Sequence, residues 1–319
     1  MGQGLCARAE PVGCLDLMSW LETYRGTVYR WEVDNVDHFT VAYYFERFED
    51  ATLGILQAIG LDPGSLAGAG RACVTLDCHV RYLRELRVGD ILHIRSGVID
   101  VGADALVLGH QVFDSGDGAL CTAVAQRAAV VDVGSGARVP LTHAQRQAGE
   151  PLLVEWTPPP EAWPAYPDAV GDDGFVDSAR DTVKAREVDA LGQAAWPAYI
   201  HRFSAANGHT LAGFGMTPAY MQAERRGFST FEFRLHFAGA LRAGDPVRVR
   251  SALLHVGKSS IRLLHRMANA RTGEEVAILE QSGVHLDMVA RRPTPLPDSL
   301  RERAKPLLLV AAPAGGRRP

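Results

Sequence analysis

The chain has 319 residues, of which 47% are hydrophobic and 22% are charged. This length suits two domains of about 150 residues, and a composition this close to the soluble average excludes wholesale disorder. The net charge of −4 argues against a nucleic-acid-binding protein, which normally carries a basic face.

The cysteine content and the hydropathy pattern indicate a compartment. Five cysteines without a CxxC pair predict neither a disulfide framework nor a zinc ribbon, and they favour reduced thiols. We find no secretory signal and no apolar stretch of membrane-spanning length, so we expect a cytoplasmic protein without a membrane partner. Only three of the 33 basic residues are lysine, a bias that we attribute to a GC-rich bacterial genome.

The chain matches itself at one fixed offset of 155 residues, without gaps. Matched segments include Glu32–Asp34 with Glu187–Asp189, Leu86–Asp90 with Leu241–Asp245, His110 with His265, and Gln126 with Gln281. We therefore predict an N-terminal domain over residues 26–150, a Pro/Gly-rich linker over 151–180 and a C-terminal domain over 181–305.

Each unit has the pattern of a strand, a long helix and then several strands. Apolar residues at helical spacing predict helices over 43–59 and 199–214. Strict alternation predicts half-buried strands over 74–82 and 231–237. In the first unit, a turn over 87–90 leads to strands over 91–98, 105–113 and 119–133. One helix followed by an antiparallel meander is an α+β unit in which the sheet must wrap the helix.

Two segments at equivalent positions resemble a known motif. Residues 34–44, Asp-Asn-Val-Asp-His-Phe-Thr-Val-Ala-Tyr-Tyr, resemble the opening motif of the 4-hydroxybenzoyl-CoA thioesterase family, and so do residues 189–199. Residues 82–90 resemble the second strand and turn of that family. The tandem arrangement is similar to that of acyl-carrier-protein thioesterases. The resemblance implies two hotdog domains packed side by side as a pseudo-dimer in one continuous sheet.

The same resemblance implies hydrolysis of an acyl thioester of coenzyme A or acyl carrier protein at the domain interface, without a cofactor or metal. Asp34 and Asp189 are the candidate carboxylates that attack the thioester or activate water. Free N–H groups at the start of the long helix would stabilise the oxyanion.

The two copies differ around this motif. The first copy keeps the polar set Asp34, His38 and Thr40, so we favour it as the working site. The second copy has Gly192 and Gln193, which are candidate substrate contacts at a site that has lost its histidine. The alternative is structural: Asp34 caps the helix or its loop, and His38 is an ordinary loop histidine.

Two further candidates concern substrate binding. Tyr44 lies on the helix face that must be buried, so we interpret it chiefly as a core residue and keep it as a candidate substrate contact. Lys258 and Ser259 form a cationic hairpin tip that would suit the phosphates of coenzyme A, whereas the equivalent tip of the first copy carries Asp104. The alternative is a solvated turn lysine.

Two other functions remain open at this stage. Asp34 and His38 could serve as the acid/base pair of a hotdog hydratase or dehydratase, although no surrounding hydratase motif is recognisable. A non-catalytic acyl-CoA-binding module is the third reading. A homodimer of double-hotdog units is one expectation for the assembly.

Overall fold

A computed structural model describes residues 19–157, 174–189 and 191–309. Residues 158–173 of the predicted linker lie outside the described residues. The first domain contains β1 (Leu21–Thr27), α1 (Val41–Ala58), α2 (Pro63–Gly68), β2 (Arg71–Tyr82), β3 (Ile91–Val101), β4 (Leu106–Asp114), β5 (Leu120–Asp132) and α3 (His143–Gly149). The second contains β6 (Val176–Thr182), α4 (Trp196–Gly213), α5 (Pro218–Ala223), β7 (Arg226–Phe237), β8 (Pro246–Val256), β9 (Ser260–Asn269), β10 (Glu275–Asp287), β11 (Arg292–Pro293) and α6 (Asp298–Ala304).

The eleven strands of the described residues form one antiparallel sheet, in which equivalent strands of the two domains follow in the same order from either edge. The order is β1-β3-β4-β5-β2-β7-β10-β9-β8-β6, with β11 paired to β10. The domains join where β2 pairs with β7, with Cys78 opposite Leu235. Each domain therefore contributes equivalent strands to one continuous sheet, which confirms the predicted pair of hotdog units.

The long helix of each domain packs against the sheet strands of its own domain. Phe45, Phe48 and Ile55 recur on one face of α1 and are fully buried, as their helical spacing predicts. Phe203 occupies the same position in α4 as Phe48 does in α1 and is also fully buried. This burial of aromatic and branched side chains is the main stabilising contribution to each core.

Both long helices begin slightly earlier than their apolar spacing predicts. α1 begins at Val41 and α4 at Trp196. Proline is tolerated in the first turn of a helix because the N–H that it lacks would have no intrahelical partner, so Pro197 is compatible with the earlier start of α4. Within the described residues, no helix combines the length and apolar character that crossing a membrane requires.

Candidate active site

A cavity of about 690 Å³ lies between the two domains. The first domain contributes the loop before α1, the first turn of α1 and the segment after β2. The second domain contributes one face of α4, the start of α5, and parts of β7 and β10. Its walls therefore come from segments that are distant in sequence and meet only because β2 pairs with β7.

Asp34 holds the loop before α1 in shape and also lines the cavity. Its Oδ1 accepts hydrogen bonds from the backbone N–H groups of Val36 at 2.9 Å and His38 at 3.0 Å. The structure gives Oδ2 no hydrogen-bond partner among the described residues. Burial raises the pKa of Asp34 and outweighs the lowering effect of these two N–H groups. A carboxylate in this state is a stronger base than one in water.

His38 faces Glu85, which lies just after β2. His38 Nε2 is 2.6 Å from Glu85 Oε2, a close contact whose direction does not meet the geometry of an N–H···O hydrogen bond. Burial lowers the pKa of His38, although the nearby carboxylates of Asp34 and Glu85 raise it. His38 is therefore held mainly neutral at neutral pH, within reach of a carboxylate that can stabilise its protonated form.

Glu85 is fixed by two arginines. Burial raises the pKa of Glu85, but bonds from Arg291 and Arg87 outweigh this effect and hold the pKa below its usual range. Arg291 comes from the second domain and also donates to the carbonyl of Val36 at 3.0 Å. The second domain therefore secures both the Asp34 loop and the partner of His38.

The N-terminus of α1 opens onto the same cavity. Thr40 is the N-cap residue, but its side chain makes no capping hydrogen bond. Tyr43 and Tyr44 donate their N–H groups to the carbonyl of Thr40. The N–H of Val41, the first residue of the helix, has no intrahelical partner, and Val41 lines the cavity. This arrangement can stabilise a developing negative charge, with the helix dipole adding to the effect.

The wall from the second domain combines apolar and polar side chains. Leu211, Met216 and Phe228 supply apolar surface. Asn207 and Gln281 supply amides; Gln281 donates to Thr230 at 2.7 Å, and Asn207 Oδ1 is buried without a partner in the described part of the chain. This wall and Asp34 line the same cavity, and its mixed surface can hold an apolar group beside polar contacts.

The equivalent loop of the second domain has the same backbone geometry without the same surroundings. Asp189 Oδ1 accepts hydrogen bonds from the N–H groups of Leu191 and Gln193. Asp189 is exposed. Glu49 of α1 accepts a hydrogen bond from the N–H of Trp196 at 2.8 Å, at the start of α4. A side chain therefore already uses the helix terminus that would stabilise an oxyanion at this second position.

The other predicted site residues are separated. Tyr44 is buried in the core and also lines the cavity, so both interpretations of it apply. Gly192 and Gln193 lie in the loop of Asp189. Lys258 and Ser259 lie in the β8–β9 turn, where their carbonyls accept hydrogen bonds from Leu296 and His285. None of these four is among the residues that line the cavity. The structure brings together only Asp34, His38, Thr40 and Tyr44.

Sequence reasoning missed Glu85, Arg291 and Asn207. Glu85 falls in an unassigned position of the segment over 82–90, and the other two belong to the second domain. A signal was nevertheless present: at the offset of 155, Glu85 is matched by Ala240 and Arg291 by Gly136. Differences between the two copies therefore mark the residues that complete the working site.

Comparisons with known proteins agree with this architecture. A family model described as the thioesterase-like superfamily matches residues 28–149 and 183–304. A betainyl-CoA thioesterase from Pseudomonas aeruginosa is 30% identical over 98 residues, which are 31% of this chain and 62% of that protein. The match thus spans less than two thirds of that relative.

Two solved structures share the double-domain fold. A 12:0-ACP thioesterase from Umbellularia californica superposes with a TM-score of 0.64 at 13% identity, covering 85% of this chain and 93% of that one. An acyl-ACP thioesterase from Bacteroides thetaiotaomicron superposes with a TM-score of 0.62 at 13% identity, covering 82% and 96%. At this level of identity the likeness shows the fold.

Proposed function

This chain belongs to the thioesterase-like superfamily, and from that premise we propose that its interdomain cavity hydrolyses an acyl thioester of coenzyme A or acyl carrier protein. The observation that carries the proposal is the convergence of Asp34, His38 and the N-terminus of α1 on one cavity. A thioester is already activated, so a carboxylate and a set of oxyanion-stabilising N–H groups suffice for its hydrolysis.

In this mechanism Asp34 is the catalytic carboxylate. Its Oδ1 is held by two backbone N–H groups, which leaves Oδ2 to act on water or on the thioester carbonyl. The N–H groups at the start of α1 stabilise the negative oxygen that forms. Collapse of that intermediate breaks the C–S bond. If water attacked, the acid is released directly and the proton that Asp34 took from water passes to the thiolate. If Asp34 attacked, the thiolate leaves and is protonated by solvent, and water then hydrolyses the mixed anhydride to the acid and free Asp34. Burial raises the basicity of Asp34, which favours the base role.

His38 is proposed to assist by orienting water or the carbonyl. Glu85 lies 2.6 Å from Nε2 of His38 and would stabilise positive charge on the ring when His38 takes up a proton. Glu85 is thus a positioning residue, and Arg291 and Arg87 keep it ionised. This role gives a reason for the position of the segment after β2 beside the site.

We propose one working site in each chain. Asp189 is exposed and Glu49 uses the N–H at the start of α4, so the second position lacks a buried aspartate, and its helix terminus is already occupied. Relatives named for betainyl-CoA and for acyl-ACP give the substrate range to search. The reduced cysteines predicted from the sequence favour a cytoplasmic source of these substrates.

The test is a substrate panel. The full chain is incubated with acyl-CoA thioesters of short, long, branched and cationic acyl groups and with acyl-ACP, and release of the thiol is followed. Thiol release from at least one substrate, at a rate far above the uncatalysed reaction, is expected. Single turnover in ¹⁸O-labelled water then tests for direct attack. Label in the Asp34 carboxylate requires an anhydride that water opens at the aspartyl carbon, whereas attack by an activated water puts label only in the product acid. Absence of thiol release across the panel, from a folded chain, would refute the proposal.

A further inference from the structure

A second hollow of about 700 Å³ adjoins the catalytic cavity. The two share the lining residues Asn35, Pro218, Met221 and Arg291. The hollow is formed by the Asp34 loop, the turn between α5 and β7, and the turn between β10 and β11. We call it the vestibule, because a substrate arm that leaves the cavity on this side must pass through it.

Within the described residues, every non-glycine residue with a left-handed backbone conformation lines the vestibule. These residues are Asp37, Arg225 and Arg291, with φ of 59°, 50° and 53°, and all three line the vestibule. A side chain at such φ costs folding free energy, and residues of this kind cluster at functional sites.

For each of these residues, the equivalent position in the opposite domain is an internal control for the strain. At the offset of 155 residues, all three positions hold glycine with φ of the same sign: Gly192 (71°), Gly70 (67°) and Gly136 (70°). The fold therefore requires a left-handed residue at each position, and glycine meets that requirement without strain. Only around the vestibule are the three positions occupied by charged residues, so the charges themselves have a use there.

The charge of the vestibule is mainly positive. Its lining includes the four arginines Arg87, Arg225, Arg226 and Arg291, and a single acidic residue, Asp37. Arg87 and Arg291 pair with Glu85, and Arg226 pairs with Asp287. Arg225 is exposed and has no carboxylate partner among the described residues. A guanidinium has five N–H donors, so the paired arginines also retain donors for a further ligand.

We infer that the vestibule binds the phosphates of coenzyme A, with Arg225 as the principal contact, while the pantetheine arm extends into the catalytic cavity. The inference rests on the proposed function. Arginine binds phosphate through two parallel hydrogen bonds, and this geometry suits the diphosphate and the 3′-phosphate of the nucleotide.

Coenzyme A fits these observations better than a carrier protein does. The positive groups are confined to a hollow of nucleotide size, and a carrier protein would present only one phosphodiester there. An acidic carrier would also need a wide basic face, which a chain of net charge −4 does not suggest. The hairpin lysine, Lys258, lines neither the cavity nor the vestibule, so its position adds no support to the earlier expectation of a phosphate contact there.

Binding of desulfo-CoA and of pantetheine to the full chain, measured by calorimetry, tests the inference without turnover. Arg225→Gly removes the guanidinium and also relieves the strained backbone. We expect this variant to bind desulfo-CoA roughly tenfold more weakly, to bind pantetheine as the wild type does, and to melt at the same temperature or higher. A residue with a merely structural role would not combine lower affinity with unchanged or higher stability.

Two further variants complete the test. Arg225→Lys should restore part of the affinity, because it returns the charge without the bidentate geometry. Lys258→Ala, an exposed cation on the β8–β9 turn, should bind desulfo-CoA as the wild type does. Unchanged binding by Arg225→Gly, an equal loss for pantetheine, or an equal loss in Lys258→Ala would overturn the inference. Hydrolysis of acyl-ACP by a chain that does not bind desulfo-CoA would do the same. A chain that binds desulfo-CoA through Arg225 but hydrolyses no thioester would refute only the proposed function.

Discussion

Glu85→Gln tests whether His38 acts through a charged neighbour. The amide has the shape of the carboxylate but not its charge, so the contact at 2.6 Å from His38 Nε2 loses its electrostatic component. The coupling energy of a close charge pair is about 1.5–7 kcal/mol. Because the Glu85 side chain is 31% exposed, we take the lower end of that range, which corresponds to a loss of about tenfold in kcat.

The pH dependence gives a second readout with a defined sign. Glu85 raises the pKa of His38, against the lowering effect of burial, so Glu85→Gln should lower that pKa further. The limb of the pH–rate profile that belongs to His38 should then move to lower pH, whichever form of the ring is active. Thiol-release kinetics from pH 5 to 9 and NMR of labelled histidine rings measure both effects. Glu150→Gln, an exposed glutamate of the first domain, is the matched control. A kcat within twofold of the wild type, together with an unmoved profile, would refute this role for Glu85.

Two other predictions concern residues near the helix termini. Thr40→Ala should lower kcat/KM severalfold. It should reduce the unfolding free energy by less than about 0.5 kcal/mol, because this N-cap side chain makes no capping bond. Enzyme kinetics and urea denaturation measure the two effects, and a loss of 1 kcal/mol or more in unfolding free energy would show that Thr40 caps α1. Burial raises the pKa of Glu49 to about 7 from 4.5. Between pH 4.5 and about 7 the folded state therefore binds a proton that the unfolded state has lost, and the stability of the wild type falls as the pH rises through this range. Glu49→Gln should therefore exceed the wild type by up to about 3 kcal/mol at pH 8 and match it near pH 4.5, and equal stability at both pH values would contradict the assignment.

The fold could be predicted from the sequence because the chain contains the same pattern of elements twice. The offset of 155 residues aligned two helices and two sets of strands, and the structure confirms both the helix over 43–59 and its counterpart over 199–214. The apolar spacing that buries Phe48 in α1 is the pattern of a helix that packs one face on a sheet. Spacing did not give the first turn of each helix, although Ala42 and Ala198 in those turns are buried in the core.

The site was only partly accessible. Asp34 and His38 could be named because their residue types and spacing are local to one loop. Arg291 lies in the other domain, and its bond with Glu85 joins positions 206 residues apart, so no local pattern predicts the pair. The position of Lys258 depends on which ends of the two domains meet across β2 and β7, and that arrangement is a property of the whole sheet.

The central claim is that one domain supplies the working carboxylate, and a matched pair of variants tests it most directly. Asp34→Asn and Asp189→Asn make the same chemical change in loops of the same geometry, because each aspartate accepts two backbone N–H bonds through Oδ1. With the best substrate of the panel, we predict that Asp34→Asn loses about 10²–10⁴-fold in kcat while Asp189→Asn stays within twofold of the wild type. Full activity in Asp34→Asn, or an equal loss in both variants at unchanged stability, would contradict the account.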